Sequence, residues 1–74
     1  MKYLITEKQS SFVVFIEAGN LKTICAVVDS IENTYSEYVL EVTYNLKAKQ
    51  GSIIIKKNYS GFADKIKELL ELYE

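Results

Sequence analysis

The hydrophobic period of this chain changes once, near residue 60, and that change limits the folds open to it. Tyr38, Leu40, Val42, Tyr44, Leu46 and Ala48 share one parity. Glu41, Thr43, Asn45, Lys47 and Lys49 hold the other, joined by Val39. Period two marks a strand with one buried face. Further on, Phe62, Ile66, Leu69, Leu70 and Tyr73 fall at i, i+4, i+7, i+8 and i+11. On a helix they form a stripe roughly 100° wide, suited to lying on a core. A sheet with one apolar face and a helix with one apolar stripe satisfy each other. The predicted class is therefore α+β, a small antiparallel sheet of roughly four to five strands, meander- or barrel-like, covered by one C-terminal amphipathic helix. That helix is expected over 61–73, with Ser60 as its N-cap and Asp64 favouring its dipole. Leu72 falls outside the stripe and is expected to be exposed.

The remaining strands are read from β-branched and aromatic runs. Tyr3-Leu4-Ile5 and Phe12 to Ile16 predict strands near 2–6 and 11–17, and Ser52 to Lys57 predicts another, rich in Ile. Turning the chain at Gln50-Gly51 sets Ala48 opposite Ile53, Leu46 opposite Ile55 and Val42 opposite Tyr59, apolar against apolar. Gln suits a tight primed turn poorly, so a loop longer than two residues is compatible. Residues 20–35 read two ways. Leu21, Ile24, Val28, Ile31 and Tyr35 have helical spacing, with Asn20 as a fair N-cap. Many residues between them are weak helix formers, and Gly19-Asn20 suits a type II′ hairpin turn. The strand is preferred here, with helix as the alternative.

Composition removes most chemistry. The 74 residues, room for a single domain over 1–74, contain no His, Arg, Pro or Trp and one cysteine, Cys25. Without His the commonest general base and metal ligand is absent. One Cys cannot form a disulfide scaffold, a C-x-x-C site or a zinc ribbon. Cys25 sits among apolar residues and is expected to be a small core residue. The acids Asp29, Glu32, Glu37 and Glu41 lack the spacing of a calcium loop, so neither metal nor cofactor is expected. An enzyme is not expected. The N-terminal MKYLITEKQ lacks a signal peptide's apolar core, and no run is long enough to span a membrane, so a cytoplasmic protein is expected. Asn58-Tyr59-Ser60 matches a glycosylation sequon and is read as chance.

Two resemblances fail on their motifs. With a helix at 20–35, Val13 to Asn45 is similar to a thioredoxin-like strand–helix–strand unit. That family's site needs C-x-x-C or C-x-x-S and a cis-proline, and this chain has one Cys and no Pro. With a strand there, the order resembles small SH3-like archaeal chromatin proteins, which are strongly basic and use Arg and Trp. No family is assigned on this ground.

Charge and tyrosine supply the candidate sites. Residues 1–44 carry a net −3, residues 45–60 a net +4, and residues 61–74 a net −2. In the hairpin register above, Lys47, Lys49 and Lys56 share an outer face, with Lys57 beside them. Such a ribbon fits phosphates or an acidic protein surface, or serves only to protect a sheet edge. Tyr35 and Tyr38 lie in the acidic stretch Glu32 to Glu41, which also holds Glu37, a composition that suits a protein interface as well as a small core. The predicted function is a small protein-binding domain using Glu32, Tyr35, Glu37 and Tyr38 on one side and Lys47, Lys49, Lys56 and Lys57 on the other. The alternative is a nucleic-acid module that contacts phosphates through the lysine hairpin. A homodimer is a third possibility. Residues with AT-rich codons (Phe, Tyr, Met, Ile, Asn, Lys) number 31, against 7 of Gly, Ala, Arg and Pro. An AT-rich genome and a lone small domain suit a phage or mobile-element inhibitor of host defence that blocks its target sterically.

Overall fold

The computed structural model describes residues 1–57 and 61–73. In chain order the elements are β1 (Lys2–Glu7), β2 (Ser11–Glu17), α1 (Leu21–Thr34), a 3-10 turn (Ser36–Tyr38), β3 (Val39–Asn45), β4 (Gln50–Lys56) and α2 (Phe62–Glu71). The strands form one antiparallel sheet in the order β1-β2-β4-β3. The α+β class and the antiparallel sheet are as the two hydrophobic periods predict. The meander or barrel and the single covering helix are not. The second hairpin inserts its later strand, β4, against β2, so β1 and β3 are open edges. Two helices share one face.

The added helix is residues 21–34, where a strand was preferred. Two local facts favour the helix. Asn20 takes an extended conformation and its Oδ1 accepts the Thr23 backbone N–H at 2.8 Å, capping the first turn. Gly19 lacks the positive φ that a type II′ turn needs at its first central position. The helix then buries Ile24, Val27, Val28 and Ile31 on one stripe. Weak propensity gives way because packing of an apolar face supplies most helical stability. Cys25, expected in the core, lies off that stripe and is exposed.

The second hairpin also departs from its predicted register. Asn45 stands opposite Gln50, Tyr44 opposite Gly51 and Val42 opposite Ile53, leaving Leu46 to Lys49 as the turn. Asn45 Oδ1 accepts the Ala48 N–H at 3.1 Å, and Lys49 adopts φ 55°, so side-chain chemistry builds the longer loop. A β-bulge between Val39 and Glu41 shifts the parity of β3. Val39 therefore joins Val42 against the core and Leu40 is turned out, while Tyr44, which keeps the parity of Val42, is exposed at the sheet edge, and Leu46 and Ala48, also expected inside, are exposed in the turn. The predicted Val42–Tyr59 pair, Ser60 cap and sequon fall outside the described residues.

Alternation elsewhere is regular. Phe12, Val14 and Ile16 of β2 and Gly51, Ile53 and Ile55 of β4 face the helices and are buried. Gly51 is needed there. A Cβ on it would stand 3.0 Å from Ile24 Cγ2 and 3.7 Å from Val28 Cγ2, so its absence lets α1 seat on β4. The second helix, α2, adds Phe62, Ile66 and Leu70 to the core. Phe62 meets Phe12, Tyr35 and Tyr38 edge-on, with centroids 6.2, 5.2 and 5.2 Å away. Ser30 on α1 and Tyr73 past the end of α2 join their hydroxyls, tying the two helices together.

Candidate functional site

The residues predicted to act together are distributed by the fold over three places. Glu32 lies on α1, half-buried, and Glu37 is exposed in the 3-10 turn. Between them, Tyr35 ends α1 and donates its backbone N–H to Ile31 O at 2.8 Å, and the Tyr38 N–H returns to Tyr35 O at 2.8 Å. The rings of Tyr35 and Tyr38 both lean on Phe62. They form the rim of the core, and a shallow cleft of about 270 Å³ runs between Thr34 and Tyr38 along their outer side. A substitution of either ring therefore disturbs packing as well as surface.

The four lysines occupy two ends of β4. Lys47 and Lys49 sit in the turn before it, and Lys56 and Lys57 close its far end. Six residues of strand separate the two pairs by about 20 Å. Two of the four are also engaged. Lys49 Nζ donates to Gly19 O at 3.2 Å. Lys57 Nζ lies 3.1 Å from Glu7 Oε1 and 5.5 Å from the centroid of the Phe12 ring. Lys49 helps wall a cleft of about 340 Å³ with Lys2, Glu17 and Gly19, in which the Glu17 carboxylate accepts Gln50 Nε2 at 2.8 Å.

The bulge turns Leu40 out of the core, which alternation alone hides. Leu40, Tyr44 and Leu46 are 60%, 40% and 63% exposed, all on β3 or its turn, the free edge beside α1. The Tyr44 hydroxyl is held above its ordinary value of 10.0. Partial burial comes first, followed by the negative charges of Cys25, Glu32 and Asp29. The edge thus carries large exposed side chains on both faces and in its turn, with exposed Glu37 and Glu41 close by in the chain. The sequence signal for it is Gly51, because a glycine within an Ile-rich strand marks where another element approaches and so fixes the register. Among the described residues, no three His, Cys, Asp or Glu side chains converge to hold a metal ion. Among the same residues, no helix is long and apolar enough to cross a membrane. No known protein family, curated protein or solved structure matches the chain.

Proposed function

We propose that this chain is a non-enzymatic protein-binding domain whose contact surface is the β3 side of the molecule. The observation that carries the reading is the exposure of Leu40, Tyr44 and Leu46 along the β3 edge and its turn, with Asp29 and Glu32 of α1 acting on Tyr44. Exposed large side chains ringed by charge have the composition of an interface hot spot, in which apolar anchors supply affinity and the charged rim selects the partner. The partner is a protein surface with apolar sockets and basic groups around them. Its target would be blocked by occupation rather than by chemistry, since composition supplies few catalytic groups. The finer version of the reading, a phage or mobile-element inhibitor of a host defence system in the cytoplasm, rests on size and codon bias. The nucleic-acid alternative relies on Lys47, Lys49, Lys56 and Lys57, whose division between two ends of β4 weakens it, because phosphate affinity grows with the number of neutralised phosphates.

The test is a tagged pull-down from a low-GC bacterial lysate, with and without nuclease, read by mass spectrometry. One protein retained at equal stoichiometry in both arms, and lost on Leu40→Lys with Tyr44→Ala, is the expected result. Retention that needs intact nucleic acid, or that disappears on Lys47→Glu with Lys56→Glu but survives the β3 changes, overturns it in favour of the lysine reading.

A further inference from the structure

We infer that the β1 edge is a self-association site, where β1 of a second copy adds antiparallel to form a continuous eight-stranded sheet with Leu4 on the two-fold axis. The inference is independent of the proposed β3 surface, which this pairing leaves free on both copies.

The two sheet edges are unlike. The bulge at Leu40 breaks the edge at β3, a device that discourages strand addition. The other edge, β1, runs Lys2–Glu7 with an unbroken register against β2, no bulge and no proline. A regular edge of this kind, with Tyr3, Leu4 and Ile5 at its centre, is a template for another strand. Its flank is open as well. A groove of about 680 Å³ runs along Met1 to Ile5, with Lys67 of α2 at its border.

Hydrogen-bond phase identifies the free backbone groups. The Lys8 N–H donates to Ser11 O at 2.8 Å, so in β1 the residues of even number face β2. The Lys57 N–H donates to Ser10 O at 3.1 Å, which assigns even-numbered residues of β2 to β4 and odd-numbered ones to β1. The two bonds agree. The N–H and C=O groups of Tyr3, Ile5 and Glu7 consequently point outward, away from the sheet.

A two-fold axis perpendicular to the sheet keeps the helices of both copies on one side, so only registers with an even residue sum are open. Centring on Leu4 pairs Tyr3 with the partner's Ile5 through the free backbone groups, on the helix side. It sets Lys2 opposite the partner's Thr6, and Leu4 meets the partner's Leu4 at a close, non-hydrogen-bonded position. Leu4 is 62% exposed and stands opposite Phe15, itself 38% exposed, on the helix-free face. Pairing joins those two side chains to the same two of the partner in one apolar row. The next even register, centred on Ile5, places Lys2 against the partner's Lys8, a like-charge opposition. Both copies use β1, so the assembly closes as a dimer and the bulged β3 edges end the sheet.

The test uses the whole chain. Sedimentation equilibrium over a concentration series should show a reversible dimer, reduced to monomer by Leu4→Lys with an unchanged far-ultraviolet circular dichroism spectrum. Mixing Leu4→Lys with Leu4→Glu should restore the dimer. In a Cys25→Ser background, Leu4→Cys should oxidise to a disulfide-linked dimer, because Cα atoms at a non-hydrogen-bonded pair lie about 4.5 Å apart. Thr6→Cys in the same background should not, since the two sulfurs would be held about 13 Å apart along the strands. A wild type that stays monomeric at every concentration overturns the inference. So does a dimer that survives Leu4→Lys, or cross-linking at Thr6→Cys equal to that at Leu4→Cys.

Discussion

At the scale of single residues, a few side chains decide geometry that neighbouring ones only accept. Gly51 is the sharpest case. Its missing Cβ is the space into which Ile24 and Val28 descend from α1. Gly51→Val should lower stability by about 1–3 kcal/mol, as overpacking of a close contact does, measured as a reduced midpoint in urea with an unchanged slope. Asn20 is the second. Asn20→Ala leaves the Thr23 N–H without its cap and should remove about 1 kcal/mol by the same measurement. Tyr44 makes a prediction in pH. Its folded-state ionisation lies above the ordinary 10.0, so the folded form holds the proton more tightly than the unfolded chain. The stability this contributes is complete below about pH 10 and is lost as pH rises above it. Tyr44→Phe should flatten that alkaline decline, visible in thermal midpoints taken across the range. The sequence made Asn20 readable as a cap, because capping is local chemistry. It could not reveal what Gly51 faces, because that neighbour lies more than 20 residues away in the chain.

At the scale of elements, legibility followed locality. The second strand was readable to its ends because Phe12 to Ile16 are an unbroken β-branched and aromatic run bounded by polar residues, and they pair without a bulge. The C-terminal helix was readable because its stripe repeats over three turns. The first helix was not, since Thr23, Val27, Val28 and Ser30 argue against helix locally and only burial against β4 reverses them. The third strand misled for a different reason. One inserted residue at the Val39/Glu41 irregularity exchanges the faces of everything before it. Alternation in the sequence continues through a bulge that the structure does not respect. A direct consequence concerns Leu40. Deleting it should restore an unbroken ladder with Val39 still opposite Ile55 on the core face. The deletion should therefore leave the fold intact, while binding through the β3 side should fall because an exposed anchor is gone. Hydrogen-exchange protection along β3 would separate this from global unfolding: a bulge-free ladder gains protection at Glu41 to Tyr44 if the edge alone is altered.

At the scale of the molecule, the fold is a two-layer sandwich with its whole buried core between one sheet face and two helices. Neither helix covers that face alone. The first lies over β4 and β3. The second brings Phe62 onto Phe12 of β2 and sets Lys67 beside β1. This division could not be read from the sequence, because it depends on β4 entering between β2 and β3, a non-local pairing that no periodicity encodes. It makes a prediction about folding. A chain ending at Lys57 keeps every strand and α1 but loses Phe62, Ile66 and Leu70, which are all fully buried. Phe12 and the rims formed by Tyr35 and Tyr38 would then face water. A domain of this size has little reserve, since small chains bury a smaller fraction of their surface, and removing even one large core side chain costs about 3–5 kcal/mol. The truncated chain should therefore lack a cooperative urea transition, bind a hydrophobic dye and show little dispersion of its methyl resonances. Phe62→Ala in the full chain should fall between the two, folded but with a much lower midpoint. A truncated chain that still unfolded cooperatively would mean that α1 and the sheet form a sufficient core, and that α2 serves the surface rather than the fold.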